Sequence, residues 1–178
     1  MQTLDLRGCA ELQSLRLDCP ALTSINADFC SKLGGQGMRG GVANACAVVD
    51  LRLSACRLVN TGALCSFGRL SELRRLDLSY TDVCSLQPLF DGCEQLTALN
   101  VACCAALDPD SLLQVLPACG GRLPHLAELD ASYLKMPEAG AAGLLSAGPP
   151  ALQRLALNGV RSVTDAAFSG VTGVTDAA

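Results

Sequence analysis

Tryptophan is missing from this 178-residue chain, only six residues are aromatic, one is a histidine and two are lysines. So few large rings exclude a core gathered around them and point to many small, similar layers. The single histidine, His125, and the absence of any C-x-x-C pair leave no local zinc-ligand spacing, so no metal is expected. No run approaches 18 apolar residues, and Met1-Gln2-Thr3-Leu4-Asp5-Leu6 lacks the charged and apolar regions of a signal peptide. An intracellular protein of the cytoplasm or nucleus, with no membrane association, is the expectation. Thirteen basic against 17 acidic side chains give a net charge of -4, which argues against nucleic acid as a partner. Walker-type and dinucleotide-type glycine loops are absent, so no cofactor is expected.

What is present is leucine, 32 of them, and eleven cysteines. An odd cysteine count without an export signal favours reduced thiols over a disulfide framework. The frame L-x-x-L-x-L-x-x-C orders the leucines and places four of the cysteines. It runs Met1-Leu4-Leu6-Cys9, Leu22-Ile25-Ala27-Cys30, Val48-Leu51-Leu53-Cys56 and Leu73-Leu76-Leu78-Thr81. It continues as Leu96-Leu99-Val101-Cys104, Leu126-Leu129-Ala131-Leu134 and Leu152-Leu155-Leu157-Val160. Seven matches, starting near residues 1, 22, 48, 73, 96, 126 and 152, define a leucine-rich repeat array.

The fold class follows from the frame. Its x-L-x-L-x centre has period two and reads as a short strand with leucines inward. Such a strand buries its face only by stacking, so the expected fold is an α/β solenoid with a curved, concave parallel sheet of about seven strands. Short helices and loops should form the convex side. Asp108-Pro109 opens one helix ending near Pro117; Thr61 to Leu70 and Pro137 to Leu145 give weaker signals, as does Thr164-Asp165 as the cap of a last helix at Phe168. Five glycines between Gly34 and Gly41 predict a loop, with at most one helical turn before Cys46. Leu12-x-x-Leu15-x-Leu17 is too close to its neighbours to close a coil, so it should lie extended on the outer side of the first. The ninth position turns inward, and burial is expected for Cys9, Cys30, Cys56 and Cys104, each thiol donating weakly to a neighbouring carbonyl. The expectation is one domain over residues 1-178, a fragment of a longer array or a protein whose ends another element covers, with uncapped ends favouring poor stability or self-association; Val174-Thr175-Asp176-Ala177-Ala178 repeats Val163-Thr164-Asp165-Ala166-Ala167.

Positions three, five, seven and eight are expected outside the core, in four rows across the concave face. The fifth-position row contains Arg52, Asp77, Asn100 and Asp130; the third contains Arg75, Glu128 and Arg154; the eighth carries Phe29, Tyr80 and Tyr133. Exposed aromatics flanked by charge are typical protein-interface anchors, so these ten residues form the candidate site for a protein partner, centred on the fourth to sixth frames. Burial of the three rings beneath the strands is the competing expectation. Asp77 and Asp130 recur with the repeat, and Ser79 and Ser132 have no matching histidine, so no enzymatic activity is expected. Arg7, Arg52, Arg75 and Arg154 are dispersed among acids, which disfavours a phosphate-binding pocket.

Several stretches resemble the leucine-rich region of the plant F-box/LRR-repeat protein 15 family, in order, over roughly residues 1 to 168. They are Cys19-Pro20-Ala21-Leu22-Thr23-Ser24-Ile25-Asn26-Ala27-Asp28-Phe29-Cys30, Leu76-Asp77-Leu78-Ser79-Tyr80-Thr81 and Leu86-Gln87-Pro88-Leu89-Phe90. Leu126-Ala127-Glu128-Leu129-Asp130-Ala131-Ser132-Tyr133 and Leu152-Gln153-Arg154-Leu155-Ala156-Leu157-Asn158-Gly159 add to these. The resemblance implies the substrate-recognition repeats of a Skp1-cullin-F-box ubiquitin ligase, acting in ubiquitin-dependent protein catabolism. No segment of residues 1-178 reads as an F-box, so Skp1 and cullin are implied as partners only if an F-box is supplied elsewhere. The alternative class is a structural scaffold of a cilium axoneme or other cytoskeletal assembly, with the same fold and no ligase.

Overall fold

The computed structural model describes residues 1-17, 19-38, 47-67 and 70-168. Positions three to five of every frame form a strand: β1 (Thr3–Asp5), β2 (Ser24–Asn26), β3 (Asp50–Arg52), β4 (Arg75–Asp77), β5 (Ala98–Asn100), β6 (Glu128–Asp130) and β7 (Arg154–Ala156). The seven pair in parallel and in chain order, with the fourth positions in register from Leu4 through Ile25, Leu51, Leu76, Leu99 and Leu129 to Leu155. One strand contributes one inward leucine between two outward side chains, so each needs its neighbours to bury that face. This is a leucine-rich repeat solenoid.

The register keeps the frame's leucines in stacked files. Leu22, Ile25, Leu33, Leu51, Leu53, Leu73 and Leu78 are completely buried in one continuous core. Each such side chain contributes about 1.5–3 kcal/mol relative to exposure. The thiols of Cys30, Cys56 and Cys104 are buried too, and each donates to the sixth-position carbonyl of the preceding coil: Leu6 at 3.2 Å, Ala27 at 3.0 Å and Leu78 at 3.0 Å. Burial pushes the Cys56 thiol up to about 12. Cys9 corrects the expectation, for it is exposed. The thiols of later coils are covered by the coil before, and among the described residues none precedes the coil of Cys9.

On the convex side lie α1 (Gly35–Met38), α2 (Thr61–Phe67), α3 (Gln87–Phe90), α4 (Pro109–Leu113) and α5 (Glu138–Ala147). Asp108 caps α4, its carboxylate accepting the Asp110 N–H at 3.1 Å, with Pro109 as first helical residue. The helix stops at Leu113, before the expected Pro117. That proline instead opens a 3-10 turn, Pro117–Cys119, because the residue before it, Leu116, is held extended. In place of the helix expected after Thr164-Asp165 there is a second 3-10 turn, Asp165–Phe168. α1 is the single helical turn expected in the glycine-rich stretch; residues 39-46, the end of the expected Thr61–Leu70 helix at 68-69, and the terminal echo in 169-178 lie outside the described residues.

The short motif between the first two frames behaves as its spacing predicts. Residues 12-17 form no helix or strand, Leu15 is buried, and its N–H donates to the Gly37 carbonyl in α1 at 3.0 Å. The segment therefore stands in the convex layer beside a helix of the next coil. The approach is close enough that a Cβ on Gly37 would collide with the Gln13 carbonyl.

Candidate functional site

The outward side chains of β3 to β7 surround a trough of about 660 Å³ on the concave face. Seven of the ten candidate residues line it: Arg52, Arg75, Asp77, Asn100, Glu128, Asp130 and Arg154. The third-position Ala98 lowers the floor at the central strand, and Gln153 joins the rim. Arg52 faces Asp50 of its own strand at 3.5 Å, and Arg154 reaches Glu128 of the neighbouring strand at 4.0 Å. Arg75 has no ion-pair partner among the described residues. Neutral β5, carrying Ala98 and Asn100, thus separates a strand of mixed charge, β4, from the doubly acidic β6.

The fifth-position residues also have a structural task. Asp77 accepts the backbone N–H of Ser79 at 2.9 Å and its hydroxyl at 2.7 Å; Asp130 accepts the Ser132 N–H at 3.0 Å. Asn26 and Asn100 accept from Asp28 and Ala102 in the same way, each at 3.0 Å. Asp5 does so from Arg7, whose side-chain hydrogen bond holds the Asp5 carboxyl below its usual range. These are Asx turns that end the strand. Where the fifth residue is Arg52 or Ala156, the preceding coil substitutes: Asp28 takes the Ser54 N–H at 2.8 Å, and the Ser132 hydroxyl takes that of Asn158 at 3.1 Å. Burial raises the Asp28 carboxyl above its normal value despite that bond. Asp28 and Ser132 were not among the candidates. The Asp/Asn bias of position five is the turn signal that identifies this role. At position seven Arg7 and Asn158 are exposed as expected, whereas Ser79, Ala102 and Ser132 correct the expectation, since in those coils the turn tucks them into the protein.

The other three candidates do not line the trough. Phe29, Tyr80 and Tyr133 occupy position eight, just past each strand, and they are 62%, 56% and 62% exposed. The competing expectation of buried rings is therefore overturned. In all seven coils position eight has a left-handed backbone, with φ from 59° at Ala55, Tyr80 and Cys103 to 73° at Gly8. In the first six its N–H donates to the seventh-position carbonyl of the next coil, as from Tyr80 to Ala102 at 2.9 Å and from Tyr133 to Asn158 at 2.7 Å. Large and small residues alternate strictly along this stripe: Gly8, Phe29, Ala55, Tyr80, Cys103, Tyr133, Gly159. Tyr133 leans on the next coil, its ring edge 2.5 Å from where a Cβ on Gly159 would sit. Cys103, beside Tyr80 on the next coil, raises the phenol above its ordinary value.

Among the described residues no group of three or more histidine, cysteine or acidic side chains is arranged to hold a metal, and no helix is long and apolar enough to cross a membrane. Ser79 and Ser132 are bonded within the turns, and His125 sits in the connection before β6.

No family model matches the chain. Among solved structures it is similar to an internalin (inlF) from Listeria monocytogenes, at 13% identity and a TM-score of 0.49, over 85% of this chain and 46% of that one. Internalin C2 (inlC2) of the same organism gives 14% identity and a TM-score of 0.44, over 97% of this chain and 74% of that one. The chain spans about half the length of the first of these structures. Its assignment to the leucine-rich repeat fold rests on its own seven registered coils.

Proposed function

We propose that this solenoid is a protein-binding module, and that it forms the substrate-recognition arm of a Skp1-cullin-F-box ubiquitin ligase in the cytoplasm or nucleus. The observation that carries the binding reading is the trough: charges of both signs on a stiff sheet, with Arg75 unpaired among the described residues and Asp130 using only one carboxylate oxygen. Charges preset on rigid strands orient an incoming protein and reject mismatched ones. The ligase assignment is supported only by the ordered family resemblance. Its test is co-purification of the full gene product with Skp1 and cullin from cells. Skp1 should be recovered, and Arg75→Glu with Asp130→Lys should release other bound proteins without releasing Skp1. A full product that never binds Skp1 would exclude the ligase role and favour the cytoskeletal scaffold.

A further inference from the structure

We propose that the left-handed stripe is a docking track for a proline-rich segment in the polyproline II conformation, flanked by acidic residues. The inference rests on the reading of the solenoid as protein-binding and names the partner chemistry of its second face. Its first support is energetic. Left-handed backbone is unfavourable for a side-chain-bearing residue, and Gly8 and Gly159 fill the same position without that strain. Three aromatics nevertheless stand there, more than half exposed, so burial does not compensate for their strained backbone. Ala55 and Cys103 satisfy the same turn with small side chains, so what points to recognition is the exposure of three large rings where the turn does not need them.

The second support is metric. Because the stripe's N–H groups continue the ladder between coils, its residues keep the strand spacing of about 4.8 Å, and rings on alternate coils stand about 9.6 Å apart. A polyproline II helix repeats every three residues, about 9.3 Å. A proline at every third position therefore meets Phe29, Tyr80 and Tyr133 in turn. The small residue between the first two rings, Ala55, leaves a notch for the intervening turn.

The third support is chemical. The polar groups beside the stripe are already engaged: Asp28 with Ser54, Ser54 with Ser79 at 2.8 Å, and Ser132 with Asn158. A ligand needing many new hydrogen bonds, such as a sugar chain, is poorly matched. Proline lacks an N–H and needs only ring faces and an occasional donor to a carbonyl, which the Tyr133 hydroxyl supplies. Beside Tyr133 a cavity of about 840 Å³ opens between Leu134, Met136 and Pro137, with Lys135 and Arg161 on its wall. Neither cation has an ion-pair partner among the described residues, so acidic residues flanking the prolines complement that end.

The sequence supplies the reporter: with no tryptophan, Tyr80 and Tyr133 are the only strong intrinsic fluorophores. Titrating the full chain with decaproline bracketed by glutamate pairs should change tyrosine emission saturably. Phe29→Gly, which keeps both reporters and relieves backbone strain, should weaken binding about tenfold, and Phe29→Tyr should restore it. Exchanging the glutamates for lysines should weaken binding and reverse its salt dependence. An unsaturable response, an equal response to a glycine-serine peptide of the same charge, or binding of cellohexaose in preference to the decaproline would overturn the proposal. Those failures would leave the protein-binding reading to the Arg75 and Asp130 variants, whose trough shares no lining residue with the rings.

Discussion

At the scale of single residues, position eight and the buried thiols carry the sharpest expectations. Gly159→Ala must adopt φ near +65° and push against the Tyr133 ring. It should destabilise the fold by about 1–2 kcal/mol, the usual penalty for left-handed backbone, read as a lowered denaturation midpoint. Phe29→Gly exchanges relieved strain for lost chain stiffness, and its midpoint should move little. Cys56 and Cys93 have thiols pushed up to about 12 and about 11 by burial. Folded, they stay protonated while an unfolded chain ionises them above about pH 9. Their contribution to stability is therefore complete below about pH 9 and is lost as pH rises toward 11 and 12. Melting temperature should fall over that window, and fall less steeply in a Cys56→Ala, Cys93→Ala variant. Alkylation of the native protein near pH 8 should modify the exposed Cys9, Cys65, Cys84 and Cys119 and spare Cys30, Cys56, Cys93 and Cys104.

At the scale of elements, each strand is three residues long and ends because a side chain closes the turn. Asp77→Ala removes the acceptor of the Ser79 N–H and should cost about 1–3 kcal/mol by leaving that buried donor unpaired, the hydroxyl keeping Ser54, whereas Asp77→Asn retains an acceptor and should cost less. Chemical denaturation of the two variants separates the cases. The strands, their register and the outward rows were legible because period-two leucines and a fixed frame leave one way to stack. Asp108-Pro109 was legible for the same kind of reason, a cap and a φ-restricted residue in sequence. The burial of Ser79, Ala102 and Ser132 and the split of the candidate site into trough and stripe were not. The split depends on the handedness of position eight, and Phe29, Tyr80 and Tyr133 are residue types that give no hint of positive φ. Cys9 was misread because burial at position nine belongs to the preceding coil, not to the residue itself.

At the scale of the whole molecule, stability is a sum over neighbours, since each coil touches only the coils beside it. Leu76, almost wholly buried in β4, should cost about 2–5 kcal/mol on change to alanine, while half-buried Leu4 in β1 should cost less. Hydrogen exchange should show β1 amides opening before those of β4, and Leu4→Ala should speed exchange in β1 without altering β5. The alternation of large and small residues along the stripe carries a consequence for how such a molecule can lengthen or shorten over generations. Its rings recur after 51 residues and then after 53, so the heritable unit of that face is two coils, although the unit of folding is one. Loss of the single coil beginning at Val48 would set Phe29 beside Tyr80, while loss of that coil together with the next would set Phe29 beside Cys103 and preserve the rhythm. Duplications and deletions that keep this face should therefore come in pairs.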